Sequence, residues 1–285
     1  MGQPLSLPLF MVLFDGFSYK KKEVYMRILF IGDIVGQSGR SAFATCFPGL
    51  KSAYNPDFVV VNAENSAAGL GITSKIAKEL FDMGVDVITL GNHAFSNRDF
   101  IGHIKEFDRI ARPANVSPEW PGKDYCIVSS GSKKIAVINL MGQIEAGIYC
   151  DNPFLCADKL IDKINKEDKV DGILVDFHAE MTSEKMAMGY YLDGKVTAVV
   201  GTHTHVQTAD EEVLSGGTAY ITDAGMCGAT DSILGMDIDA SLMRLVKKIP
   251  ARYEPAKGPG FISGVVIDAD DNGKATNIKR FREFE

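Results

Sequence analysis

Five short apolar runs in this chain each stop in a side chain able to hold a metal ion. Asp33 closes LFIGD, Glu64 and Asn65 close FVVVNAEN, Asn92 and His93 close VITLGNH, His178 closes ILVDFH, and His203 and His205 close AVVGTHTH. Short β-branched and aliphatic runs without polar alternation read as strands buried on both faces. In an open α/β sheet the carboxyl ends of such strands gather at one edge, where ligands bind, so residues far apart in sequence are expected to meet there. Four of the 5 histidines take these positions, and only His103 lies elsewhere. Imidazoles with a minority of carboxylates suit iron, manganese or zinc, whereas an all-oxygen set would suit magnesium or calcium.

Taken singly, each feature has an ordinary explanation. Asp33 after Gly32 can cap a helix, Asn92-His93 after Gly91 can be a turn, and His178 can be a hydrogen-bonded structural histidine. GTHTH is more specific, because residues i and i+2 of an extended chain point to the same side and can serve one centre. The repetition at equivalent topological positions decides for a metal site.

Between these runs lie amphipathic stretches with helical character at 39–54, 73–83, 97–107 and 183–192, which gives an α/β rhythm. YCIVSS and KKIAVINLMG, joined by Gly131-Ser132, read as a hairpin, so the sheets are expected to be mixed. Asp268 to Gly273 (DADDNG) has carboxylates spaced faintly like a calcium loop, but Asn272-Gly273 between two strand-like runs favours a second hairpin. Met26 opens the first strand, so residues 1–25 are expected to be an extension and 26–285 a single domain. The apolar patch Leu5 to Phe14 lacks the flanks of a signal peptide. No apolar run reaches the roughly 20 residues that span a bilayer.

Charge narrows the partners. With 30 Lys+Arg against 37 Asp+Glu the formal net charge is -7, which argues against a continuous basic face for duplex nucleic acid. The 5 cysteines form no CxxC pair, so neither a disulfide framework nor a thiolate zinc site is indicated, and a reducing cytoplasm fits best.

These residues resemble the calcineurin-like metallophosphoesterases: GD at Asp33, GNHAF at Asn92-His93, His178, and GTHTH at His203-His205. RILFIGDIVGQSGR, NAENSAAGLGIT, RPAN and ITDAGMCGATDSILGMD sharpen the resemblance to the YmdB-like 2′,3′-cyclic-nucleotide phosphodiesterases. Two departures from the wider superfamily point the same way. The usual D-x-H is here Asp33-Ile34-Val35, and the usual GD-x-x-G is replaced by Asn62-Ala63-Glu64-Asn65.

The resemblance implies an α/β metallophosphoesterase-type sandwich of mixed β-sheets flanked by helices, with the active site at strand carboxyl ends. It implies two transition-metal ions, iron foremost, with manganese or zinc also fitting. Glu64 would bridge them, with Asp33, Asn65 and His205 on one ion and Asn92, His178 and His203 on the other. Two divalent ions bring about +4 and two carboxylates remove two, so the centre still attracts a phosphate ester in an acidic chain. The implied reaction is in-line attack on phosphorus by hydroxide held at the metals, with His93 as general acid, a role suited to a pKa of about 6.5. A supporting role for His93 in fixing Asn92 stays open. The glycine-rich loop 222–235, with Asp231 and Ser232, is expected to shape the substrate pocket, and Arg112 to touch phosphate. The implied partners are a small phosphodiester or RNA ends bearing one, no membrane, and further copies of the chain in a cytoplasmic homo-oligomer. Two other readings compete: an amidohydrolase-type hydrolase, whose His-x-His belongs on an early strand of an eight-fold barrel, and a regulatory or assembly protein with a structural metal centre.

Overall fold

The computed structural model describes residues 24–144 and 147–285. The extension expected over residues 1–25, with its apolar patch, lies outside the described residues except for its last two positions. The chain begins with β1 (Met26–Ile31) and the short β2 (Asp33–Ile34), then runs α1 (Gly36–Tyr54), β3 (Phe58–Asn62), α2 (Ser74–Asp82), β4 (Val87–Thr89), α3 (Arg98–His103) and β5 (Ile110–Ala111). The expected hairpin follows as β6 (Tyr125–Ser130) and β7 (Lys133–Met141), then α4 (Pro153–Glu167), β8 (Gly172–His178), α5 (Thr182–Tyr191) and β9 (Ala198–Thr202). The remainder is β10 (Glu212–Val213), β11 (Ala219–Ile221), β12 (Met226–Ala229), α6 (Ile238–Leu245), β13 (Gly260–Ala269) and β14 (Ala275–Phe284).

Two mixed sheets result. One has the order β2-β12-β13-β1-β3-β4-β5 with β14 paired antiparallel to β13, and the other the order β10-β11-β9-β8-β7-β6. Within the first, β1, β3, β4 and β5 are mutually parallel; within the second, β7, β8, β9 and β11 are. Among the described residues the strands form these two sheets and no eight-fold barrel, which removes the amidohydrolase reading.

Strand alternation builds the layers. Ile28 and Phe30 of β1, with Phe58, Val60 and Val87, face Ile135, Val137, Leu174 and Val200 of the other sheet and make the core between them. Their neighbours Leu29 and Ile31 point the other way, onto Phe43 and Phe47 of α1 and Leu80 of α2. On the far side, Ile138 and Val175 pack under Ile161 and Ile164 of α4 and Met188 of α5. The central strands are thus buried on both faces, which is why they read as unbroken apolar runs. Asp270 ends the last hairpin as a turn residue, its Oδ1 accepting from the amides of Asn272 and Lys274 at 3.0 Å. Among the described residues no helix is long and apolar enough to cross a membrane.

Candidate metal centre

Every strand end singled out from the sequence arrives at one place, but from two sheets rather than one. Asp33 opens β2, Glu64 and Asn65 follow β3, and Asn92 and His93 follow β4, all in the first sheet. His178 is the last residue of β8, and His203 and His205 follow β9, in the second sheet. Asp33, Glu64 and His178 are wholly buried.

The contacts sort these side chains into two groups that meet at Glu64. Glu64 Oε1 lies 3.0 Å from His178 Nε2, which is itself 3.1 Å from Asn92 Oδ1 and 3.0 Å from His203 Nδ1. The same Oε1 lies 3.0 Å from the amide nitrogen of Asn65, which stands 3.3 Å from His205 Nε2, and that nitrogen is 3.9 Å from Asp33 Oδ1. Glu64 Oε2 accepts the backbone N–H of His93 at 3.1 Å, so the carboxylate also fixes the His93 main chain.

Thr202 settles which nitrogen of His178 carries the proton. Its hydroxyl donates to Asp176 Oδ1 at 2.6 Å, so the hydroxyl oxygen accepts from His178 Nδ1 at 2.9 Å. Likewise Glu180 Oε2, at 3.1 Å, draws the His203 proton to Nε2. Lone pairs on His178 Nε2, His203 Nδ1, Asn92 Oδ1 and Glu64 Oε1 then face one another, an arrangement that requires a positive charge among them. Burial pulls the His178 imidazole down, but Glu64, Asp33 and Asp176 outweigh it and hold His178 above its ordinary value. Burial opposes ionisation of Glu64, but His178 and His93 hold its carboxyl below the usual range. Burial, seconded by His178, pushes His203 down to about 3. Asp33 is pushed up to about 6 by burial against the pull of His178 and His205, and its buried Oδ1 has no hydrogen-bond partner. An orphaned carboxylate oxygen and converging imidazole lone pairs fit divalent transition-metal ions.

Three devices hold the donors. Gly91 is required by close approach, since a Cβ there would stand 2.3 Å from Glu64 Oε2 and 2.4 Å from His178 Nε2. Asp176, under the centre, takes Thr202 and the Asn62 amide at 2.9 Å, which orients His178 through Thr202. His203 (φ 98) and His205 (φ 65) both occupy the left-handed region, at a cost of order 1–3 kcal/mol each. Between them Thr204 gives its N–H (3.1 Å) and hydroxyl (2.7 Å) to Asp223 Oδ2, which also receives the buried Lys185 ammonium at 2.7 Å.

A cavity of about 400 Å³ opens on the centre, lined by Glu64, Asn65, His93, His203 and His205. Val35, where the wider superfamily's pattern has histidine, forms part of its apolar wall. Arg112 is not on this wall. Its guanidinium is buried, pairs with Asp124 at 2.7 Å and donates to the carbonyls of Pro113 and Trp120, so the expected phosphate contact is corrected. Asp231 and Ser232 do not line the cavity either. Asp231 is exposed, and the Ser232 hydroxyl closes its own turn on Ala229 O at 2.7 Å. Their loop shapes the pocket instead through Leu234, whose side chain lines it and whose carbonyl accepts from His205 Nδ1 at 3.0 Å. Glu180, Arg244 and Tyr253 also line the cavity and were not singled out from the sequence; Glu180, two residues after His178, was the one within reach of a local pattern.

The model of the YmdB-like protein family matches residues 29–281. The chain belongs to this family. It is 48% identical over 256 residues to a 2′,3′-cyclic-nucleotide 2′-phosphodiesterase of Bacillus subtilis, covering 90% of this chain and 96% of that one. Among solved structures it is similar to a novel phosphatase from Mycoplasma pneumoniae (TM-score 0.85, 32% identity, 92% of this chain and 94% of that one). A hypothetical protein from Thermus thermophilus is similar at TM-score 0.83 and 36% identity, over 91% of this chain and 100% of that one. Family membership and the metallophosphoesterase-type sandwich thus agree with the resemblance and the fold class read from the sequence.

Two outcomes follow for the braces. Gly91→Ala is expected to displace Glu64 or His178 and lower bound metal below half of the wild-type content, read by elemental analysis of the folded protein; full metal content would show that the centre yields to a methyl group. Lys185→Met leaves the Asp223 carboxylate buried and uncompensated, and is expected to lower unfolding free energy in urea by about 3–5 kcal/mol. An unchanged urea midpoint would mean that Asp223 has another source of charge compensation.

Proposed function

We propose that this chain is a metal-dependent phosphodiesterase that opens 2′,3′-cyclic nucleotides at the O2′ ester and releases nucleoside 3′-monophosphates. The reading is carried by the cluster of buried, mutually facing donor atoms that opens onto a cavity with His93 on its wall. The activity named for the Bacillus subtilis relative supports it. RNA ends with a 2′,3′-cyclic phosphate carry the same ester.

Asp33, Asn65 and His205 would hold one ion and Asn92, His178 and His203 the other, with Glu64 shared. When bound, two divalent transition-metal ions, iron, manganese or zinc, supply positive charge for the phosphate oxygens and make hydroxide available near neutral pH. A water oxygen adds to phosphorus, the bond from phosphorus to O2′ breaks, and O2′ needs a proton to leave. His93, on the cavity wall, is the donor in this reading. Burial is the main cause that holds this imidazole below its ordinary value, against the pull of Glu64; an incoming phosphodiester anion adds to that pull and favours the protonated form. Glu64 fixes the His93 backbone, while Ser96 Oγ lies 3.3 Å from ring Nδ1 and Asn92 Nδ2 3.3 Å from Nε2, so the ring is held from two sides.

The direct test is hydrolysis of 2′,3′-cyclic AMP by protein supplied with iron(II), manganese or zinc, followed by chromatography of the product. Adenosine 3′-monophosphate that disappears with chelator is expected; no turnover with any of the three metals would favour a regulatory protein with a structural centre. Glu64→Gln is expected to lose more metal than Asn65→Ala, because Glu64 contacts both groups and carries the charge. Two full equivalents of metal in the Glu64 variant would remove it from the ligand set. His93→Ala is expected to keep both metals while kcat on the cyclic nucleotide falls roughly 10²- to 10⁴-fold. An ester of an acidic phenol, whose leaving group departs unprotonated, should lose far less. Equal losses on both esters would assign His93 to support of Asn92.

A further inference from the structure

One wall of the cavity has no part in the chemistry above. It is lined by Leu70, Leu234, Met236 and Tyr253, together with Arg244. Leu70 is 54% exposed, Leu234 46% and Tyr253 43%, so apolar surface is left in water beside a charged centre. Arg244 is the one Lys or Arg on the cavity wall among the described residues, and no carboxylate pairs with it among them. Its guanidinium lies over the Tyr253 ring, 4.5 Å from the centroid, with Nη1 donating to Ala251 O at 3.3 Å.

This wall is built rather than draped. Pro255, two residues after Tyr253, sits where a side chain on Gly36 (φ +58) would be, 2.7 Å from the position of its Cβ. Glu254 O accepts the amide of Asp237, and Ala256 donates to Gly235 O, both at 2.9 Å. Ser38 Oγ donates to Ala256 O at 2.9 Å. A fixed aromatic edge costs little ordering entropy when a ligand docks on it.

We propose that Tyr253 and Arg244, with Leu70 and Leu234, form a subsite for the nucleobase of the substrate. The inference rests on the reading of the metal centre as a phosphodiesterase site and says what selects its substrate. The leucines and the tyrosine offer apolar and aromatic surface to the flat faces of a heterocycle, and the guanidinium, held over the tyrosine ring, donates to acceptors at its edge. A cavity of about 400 Å³ has room for a nucleoside attached to a phosphate at the centre.

The test compares 2′,3′-cyclic AMP with its base-free analogue, methyl riboside 2′,3′-cyclic phosphate, on metal-loaded wild type, Tyr253→Ala, Tyr253→Phe and Arg244→Met. Stacking is worth about 1–3 kcal/mol per base, so wild type should prefer the nucleotide roughly 10- to 100-fold in kcat/KM, mainly through KM. That preference should collapse toward unity in Tyr253→Ala, weaken in Arg244→Met and persist in Tyr253→Phe. A preference kept in Tyr253→Ala overturns the subsite. So does wild type that cleaves both esters equally well, an outcome that leaves the proposed function standing. If wild type cleaves neither ester, the proposed function fails, and calorimetric titration with adenosine 3′-monophosphate and ribose 3-phosphate decides the subsite alone. Tighter binding of the nucleotide that Tyr253→Ala abolishes sustains it; equal binding overturns it.

Discussion

Electron-rich atoms turned on one another are the constraint from which the rest of this structure follows. His178 Nε2 has Glu64 Oε1, Asn92 Oδ1 and His203 Nδ1 within 3.1 Å, and without a positive charge among them their lone pairs repel. Such a cluster would spread apart if its side chains were free, so each is fastened from behind: His178 through Thr202 to Asp176, Glu64 through the His93 amide, and the His203-Thr204-His205 turn through Asp223. The two left-handed histidine residues belong to the same arrangement. Their backbone strain is tolerated because Thr204 is bonded twice between them.

The fastening also controls charge. Asp223 would add a third negative charge next to the donors, but Lys185 neutralises it at 2.7 Å where neither group meets solvent. Burial raises Asp176 above the ordinary carboxyl value, and both its oxygens are taken up by Thr202 and Asn62 rather than turned to the donors. Asp33 and Glu64 remain as the buried carboxylates that point at the centre, with Glu180 at its rim. An acidic chain can in this way keep a phosphate-attracting spot, because neighbouring carboxylates are occupied by hydrogen bonds and an internal ion pair.

Much of this was legible in the sequence, and the limits have physical reasons. Parallel strands buried on both faces appear as apolar runs, so the polar residue ending each run stands out, and the order of donors at Asp33, Glu64, Asn92, His178 and His203 could be read directly. That they come from two sheets could not, since nothing in a strand names its neighbour. α4 was passed over although Asn152 caps it and Pro153 takes its first turn, both visible signals. Arg112 looked like a phosphate ligand because a lone arginine in a turn-rich segment gives no sign of its partner, and Asp124 claims it. Nothing in the sequence around Lys185 announces its burial, which depends on Asp223, 38 residues on. Arg244 and Tyr253 lie in a segment rich in basic residues that reads as solvated surface, and only the seating of Pro255 on Gly36 brings the tyrosine to the cavity.

The origin of the donors in two sheets gives the centre a mechanical meaning. Asp33, Glu64, Asn65 and Asn92 belong to one sheet, while His178, His203 and His205 belong to the other. A cation held by both sets is a rivet through the sandwich at its carboxyl edge. Binding that favours the folded chain adds RT ln(1 + [L]/Kd), about 4 kcal/mol at a thousandfold excess over Kd. With such an ion bound, metal supply would set how firmly the two sheets are clamped together, and its loss would loosen the architecture as well as the active site.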